Sequence, residues 1–228
     1  MTIKKGYNTK HKEELMDFLK TIPGRHVTAG EICSCMKEKG SSIGTATVYR
    51  QLEKLVSDGT INKYIGFLKR AEELELLPGT AEAIRKINNS GYLAIVITNQ
   101  PVIARGEVSV QGLELIHNKL ETELGKEGAY IDGLYYCPHH PDKGFEGEVV
   151  ELKFDCDCRK PKPGLILRAE KDFNIDLNAS WMIGDGRNDV DAGKNAGTHT
   201  ALIGYDENLE ADIKAESLLE IVEEILRK

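Results

Sequence analysis

Residues 44–66, GTATVYRQLEKLVSDGTINKYIG, restrict the fold more than any other stretch of this chain. Val48, Leu52, Leu55 and Val56 recur at i, i+4, i+7 and i+8, the spacing of one helical face. Thr45 is a helix N-cap and Gly59 a stop. The same residues make a poor interior strand. Glu53 and Lys54 would enter a sheet buried on both faces, and the apolar positions do not alternate. The following TINKYI does alternate, as a short strand would.

The upstream segments agree with a helical reading. Leu15, Met16 and Leu19 give helical spacing over residues 9–19, ended by Pro23-Gly24. Thr28, with Glu31 three residues on, forms a capping box for a helix over Ala29–Lys39, which Gly40 closes. Three helices and a strand make a helix-turn-helix with the start of a wing over residues 1–66. This part carries 11 Lys and Arg against 7 Asp and Glu, a net of +4, whereas the remainder carries 19 against 30, a net of −11. A mildly basic module beside an acidic one points to two different partners. Cys33 and Cys35 point in two directions from one helix, a poor chelate, and are expected to pack inside.

The run RHVTAGEICSCMKEKGSSIGTATVYRQLEKLVSDGTINKYI resembles the N-terminal winged-helix domain of the ferric uptake regulator family. The resemblance implies double-stranded DNA as a partner, with ATVYRQLEKLVSDG as the recognition helix in the major groove. It implies that Tyr49 packs on thymine or sugar and that Arg50 meets a phosphate. Thr45 and Thr47 lie at the helix N-terminus, where backbone N–H groups also reach phosphate. The family's metal-bearing dimerisation domain does not follow. His26 falls at a sensor-ligand position, but its usual partners are absent, so no metal is assigned to it.

From Leu74 onward strands and helices alternate, an α/β doubly wound pattern over residues 67–228. YLAIVITNQ and SWMIGDG are apolar runs expected to be parallel strands buried on both faces. LLPGTAEAIRKINNSG, VQGLELIHNKLETELG, PGLILRAEKDFNI, NDVDAGKNAG and AESLLEIVEEILRK are expected helices. GLYYCPHH and HTALIG are further strands. No apolar run is long enough for a membrane span. The polar N-terminus has no apolar signal core, and the expected location is the cytoplasm. Cys137 and His139, then Cys156 and Cys158, form a closed thiolate and imidazole set that suits tetrahedral structural Zn²⁺.

The motifs TNQ, ARG, YYCPHHP, CDCRKPKPG and GDGxND, in that order, resemble the haloacid dehalogenase superfamily, and within it the heptose 1,7-bisphosphate phosphatase branch. The similarity starts at Asp58 and runs to about Ile203. It implies a phosphorylated sugar as ligand and Mg²⁺ as cofactor. By resemblance, Thr98 and Asn99 donate to phosphoryl oxygens, and Arg105 and Arg159 hold the substrate's phosphates. Lys160 neutralises the growing charge. Asp185 and Asp189 are implied as the Mg²⁺ carboxylates, Asp185 as ligand and Asp189 orienting groups beside it, and Asp58 as general acid. The four-residue zinc set also matches the zinc loop of this branch, where it pins the loop presenting Arg159 and Lys160.

One residue breaks the pattern. The superfamily attacks phosphorus with an aspartate two positions before the acid, at the end of its first central strand. Here Val56 stands in that place, and Ser57 would point to the opposite side of a strand. The helical period of residues 48–56 leaves the expected sheet without that first strand. The expectation is a winged helix fused to a phosphatase-like α/β domain with severely weakened or absent hydrolysis. The alternative is a DNA-binding regulator whose phosphatase-like part only binds a phosphorylated ligand.

Overall fold

The computed structural model describes Glu14, Leu15, Asp17, Phe18, Thr21 and residues 29–39, 60–63 and 67–228. The chain divides into two compact units, Met1–Ser57 and Asp58–Lys228.

In the first unit, α1 spans Ala29–Glu38, ending within one residue of the expected stop. Ile32 and Met36, four apart, are its buried side chains among the described residues. Leu15 and Phe18 of the preceding helical residues are also buried, and Lys39 Nζ lies 4.9 Å from the centre of the Phe18 ring. Cys35 is exposed, which corrects the expectation that it packs inside. It lies one residue from Met36, off the Ile32–Met36 face.

The second unit is built on parallel strands joined through helices, except for the last connection, the loop over residues 204–212. β1 (Ile95–Asn99) pairs with β2 (Gly133–Cys137), Ile97 opposite Tyr135. β3 (Trp181–Gly184), β4 (His199–Ile203) and β5 (Ile213–Ala215) form a second parallel set in that order. Among the described residues no strand joins β1 to β3. Ile95–Asn99 are half-buried throughout, and Trp181–Ile183 likewise. The expectation of strands buried on both faces is therefore corrected. Each pairs with one neighbour only among the described residues.

Among the described residues five helices pack on these strands: α2 (Thr80–Asn88), α3 (Val110–Lys126), α4 (Gly164–Phe173), α5 (Arg187–Ala196) and α6 (Leu218–Ile225). In α3, Leu113, Ile116, Leu120 and Leu124 fall on one face and are buried. Ser109 caps that helix by accepting from Gly112 N–H at 3.0 Å. Ser217 caps α6 through Glu220 N–H at 3.2 Å. Gly197, with φ +84°, closes α5 in the left-handed conformation that glycine tolerates. The main core joins Ile84 of α2, Ile116, Leu120 and Leu124 of α3, and Leu218 and Val222 of α6.

Of the expected TINKYI strand, the described residues 60–63 contribute one antiparallel bridge, Asn62 to Leu76, and residues 64 and 65 lie outside the described residues. Lys63 N–H donates to Glu75 O at 2.9 Å and Leu77 N–H to Ile61 O at 3.0 Å. Thr80 Oγ1 donates to the same Ile61 carbonyl at 3.1 Å. Residues 60–63 are thus held by the segment leading into α2, inside the second unit.

Leu124 is fully enclosed at the centre of the main core. Leu124→Ala is expected to lower unfolding free energy by about 2–5 kcal/mol, checked by urea denaturation followed by circular dichroism.

Candidate phosphate and metal sites

The strand ends bring several of the candidate residues together. Asn99 closes β1, and its side chain clamps the backbone of Lys160. Lys160 N–H donates to Asn99 Oδ1 at 3.0 Å, and Asn99 Nδ2 donates to Lys160 O at 3.1 Å. The Asn99 carboxamide is thus engaged with Lys160. Thr98 Oγ1 accepts from Gln100 Nε2 at 3.2 Å, and that bond leaves its own proton to donate.

Lys160 Nζ donates to Ile97 O at 2.7 Å and to Asp189 Oδ1 at 2.5 Å. This ion pair is mostly enclosed, its side chains 12% and 13% exposed. Asp189 Oδ2 accepts from Gly186 N–H at 3.2 Å, capping α5. Both Asp189 oxygens are therefore engaged by protein groups. A Cβ on Gly184 would fall 2.1 Å from Asp189 Cβ, so only glycine lets the end of β3 approach this carboxylate. Asp185 Oδ1 accepts from Thr60 Oγ1 at 2.8 Å. Thr60 was absent from the sequence candidates, although it directly follows the Asp58-Gly59 dipeptide that drew attention there.

The second cluster is Cys137, His139, Cys156 and Cys158, whose ligand atoms all lie within 4.8 Å of one another. Cys158 Sγ is 3.2 Å from Cys137 Sγ and 3.3 Å from Cys156 Sγ. Cys137 Sγ is 3.5 Å from Cys156 Sγ, and His139 Nδ1 is 3.2 Å from Cys158 Sγ. A tetrahedral ion with metal–sulfur bonds of about 2.3 Å places its sulfurs about 3.8 Å apart. The cluster fits with movements of a few tenths of an ångström. Burial raises the Cys137 thiol above its ordinary pKa, and burial beside the other two thiols raises Cys158 much further. A bound cation would offset that penalty by favouring the thiolates.

A third group surrounds Arg105. Its Nη2 lies 3.0 Å from His140 Nε2. Its guanidinium carbon stands 4.6 Å from the ring centres of Phe67 and of Phe145. His140 is 5% exposed. Burial pulls its pKa below the usual value, so the ring is neutral at pH 7. Nδ1–H then donates to Asp142 O at 3.3 Å, and Nε2 accepts from Arg105. Arg159 Nη1 donates to His139 O at 3.3 Å, which ties this arginine to the thiolate cluster.

Tyr49, Arg50, Thr45, Thr47, Val56 and Asp58 lie outside the described residues, as does His26.

Comparison with known proteins gives this arrangement its context. Over 139 residues the chain is 41% identical to the D-glycero-beta-D-manno-heptose-1,7-bisphosphate 7-phosphatase of Pasteurella multocida, covering 61% of this chain and 73% of that protein. The chain belongs to the heptose-bisphosphate phosphatase family. The enzyme of the same description from Escherichia coli K12 is 37% identical over 146 residues, covering 64% of this chain and 74% of the enzyme. Residues 157–225 match the HAD-hydrolase-like family. The crystal structure of a D,D-heptose 1,7-bisphosphate phosphatase from B. bronchiseptica, complexed with magnesium and phosphate, superposes with a TM-score of 0.64 at 29% identity. It covers 75% of this chain and 94% of that one.

Residues 4–75 match the Ferric uptake regulator family. That match overlaps the second compact unit, which begins at Asp58. The heptose-bisphosphate phosphatase unit thus incorporates Thr60–Lys63 and Phe67, residues that the regulator match also includes.

The cluster geometry predicts one metal ion per chain. Removing it with a strong chelator, or replacing Cys158 with serine, is expected to lower the melting temperature by about 5 °C or more. Elemental analysis and differential scanning calorimetry check both outcomes.

Proposed function

We propose that this chain is a phosphatase-like, Mg²⁺-dependent binder of a sugar bisphosphate, fused to a winged-helix DNA-binding module, and that its hydrolysis is severely weakened. The observation that carries the reading is the Lys160–Asp189 pair beside Asp185, clamped by Asn99 at the end of β1. In this reading Thr98 donates its hydroxyl proton to a phosphoryl oxygen, and Lys160 supplies the cation that offsets phosphate charge. Arg159 and Arg105 hold the ligand's phosphates.

Asp185 is the carboxylate that would hold Mg²⁺. Such an ion keeps several waters and takes one or two carboxylates plus phosphate oxygens, so this donor set fits. When bound, it supplies charge neutralisation at the phosphoryl oxygens. Zn²⁺ is the ion that best suits three thiolates and one imidazole, and its role is structural. It would fix the turn presenting Arg159 and Lys160.

Val56 occupies the sequence position of the attacking aspartate, and a hydrocarbon side chain cannot form the acyl-phosphate. Asp58, the implied general acid, then has no phosphoenzyme step to serve. Loss of a nucleophile in other hydrolases costs on the order of 10⁴–10⁶-fold. The chain is expected to bind heptose 1,7-bisphosphate in a Mg²⁺-dependent way, read by calorimetry, with turnover at least about 10⁴-fold below the usual range of roughly 1–10³ s⁻¹. Turnover inside that range overturns the reading.

The Ferric uptake regulator match over residues 4–75 favours a second reading, a DNA-binding regulator whose phosphatase-like part reports on a phosphorylated sugar. Tyr49, Arg50, Thr45 and Thr47 are its proposed DNA contacts. Gel shifts on duplex DNA are expected to weaken steeply between 50 and 200 mM salt through counterion release. A shift that is absent, or indifferent to salt, removes this second reading.

A further inference from the structure

Arg105 stands in an unusual enclosure. Phe67 comes from just before the short 3₁₀ turn at Ala71–Glu73, and Phe145 from the loop after β2. Each ring centre lies 4.6 Å from the guanidinium carbon. His140 closes the edge by facing Nη2 at 3.0 Å. A guanidinium held between two aromatic faces keeps its charge but loses rotational freedom.

Phe145 is itself held from behind. Lys153 Nζ lies 4.5 Å from the centre of the Phe145 ring. The Lys153 side chain is fully enclosed, and its ammonium lies 3.5 Å from Glu148 Oε2. That same oxygen accepts from the N–H groups of Gly144 and Phe145, both at 2.9 Å. The loop also docks backbone to backbone on the turn after β1, with Val149 N–H donating to Ala104 O at 3.0 Å. Gly106, at φ +69°, lies so close that a Cβ there would be 1.9 Å from Gly147 O. An enclosed ammonium is costly unless compensated. Here the Lys153 ammonium makes no hydrogen bond among the described residues, and the 3.5 Å approach to Glu148 and the face of the Phe145 ring are the groups that offset its burial.

We propose that Phe67 and Phe145 are positioning residues that pre-orient Arg105 as the anchor for a second anionic group of the ligand, and that the enclosed Lys153–Glu148 pair sets Phe145 in that role. The proposal rests on the sugar-bisphosphate reading, with one phosphate beside Asp185 and the other at Arg105. Flexible arginines lose entropy when they engage a phosphate, and pre-orientation removes that cost. The aromatic pair therefore acts on the preference for two phosphates over one.

Calorimetry on the full chain with Mg²⁺ tests this, using three probes: heptose 1,7-bisphosphate, heptose 7-phosphate and inorganic phosphate. The unaltered chain is expected to prefer the bisphosphate to the monophosphate by about tenfold or more. Phe145→Leu and Lys153→Met are expected to narrow that preference to about threefold or less, with inorganic phosphate affinity unchanged. Phe145→Tyr, which keeps the ring, is expected to retain it. Metal content and melting temperature identify variants that have not folded, and Phe145→Leu is the milder change if Lys153→Met fails. A preference that survives Phe145→Leu overturns the positioning role, as does an equal loss for all three probes. If the unaltered chain binds phosphate with no preference for two groups, the Arg105 role falls while the Asp185 site stands. If it binds none of the probes, both fall.

Discussion

The Lys160 ammonium ties together parts of the second unit that no described strand joins. It donates to the Ile97 carbonyl of β1 and to Asp189 on α5, the helix that follows β3. Its own backbone is clamped by Asn99. One residue thereby links the β1–β2 pair to the β3–β4–β5 set. The geometry needs glycine at position 184, because Asp189 lies where a side chain would stand. A charge pair with both side chains mostly enclosed is costly to break on one side. Lys160 is thus as much a structural tie as a source of positive charge.

The thiolate cluster extends this arrangement. Cys137 ends β2, His139 follows it, and Cys156 and Cys158 immediately precede Arg159 and Lys160. An ion there would fix the backbone just before the lysine, and Asn99 fixes it at the lysine. The loop between the two halves of the cluster carries Phe145, Glu148 and Lys153. The candidate metal cluster, one wall of the aromatic enclosure and the lysine of the tie therefore lie on one continuous stretch of chain, residues 137–160.

Residues 58–75 carry two claims. The regulator match includes them, and so does the compact phosphatase-like unit. The claims converge physically at Thr60–Lys63, where the chain bonds to Glu75 and Leu77, to Thr80 and to Asp185. These bonds belong to the second unit, and among the described residues the expected wing strand contributes a single bridge to the approach of α2. How much of this was legible in the sequence follows from the range of each interaction. Helical periodicity placed α3 within a residue, because Leu113, Ile116, Leu120 and Leu124 encode their own face. Spacing and residue type drew the four candidate metal ligands Cys137, His139, Cys156 and Cys158 together. β5, three residues long, is too short for a periodic signal. The Phe67–Arg105–Phe145 enclosure joins positions far apart in the chain, as does Thr60 with Asp185 across 125 residues. Nothing local marks such pairs. Burial of the β1 side chains was overestimated because apolar composition reports what a strand tolerates, and neighbours decide what covers it.

The proposed function requires a phosphate site that binds without a carboxylate placed to attack. Acid-quenched incubation with bisphosphate labelled at the phosphate to be transferred, with Mg²⁺ present, measures this directly. The account predicts no label retained on the denatured chain at any quench time, beside reversible binding of the same ligand. Label retained in stoichiometric amount, acid-stable and released by hydroxylamine as an acyl-phosphate would be, contradicts it.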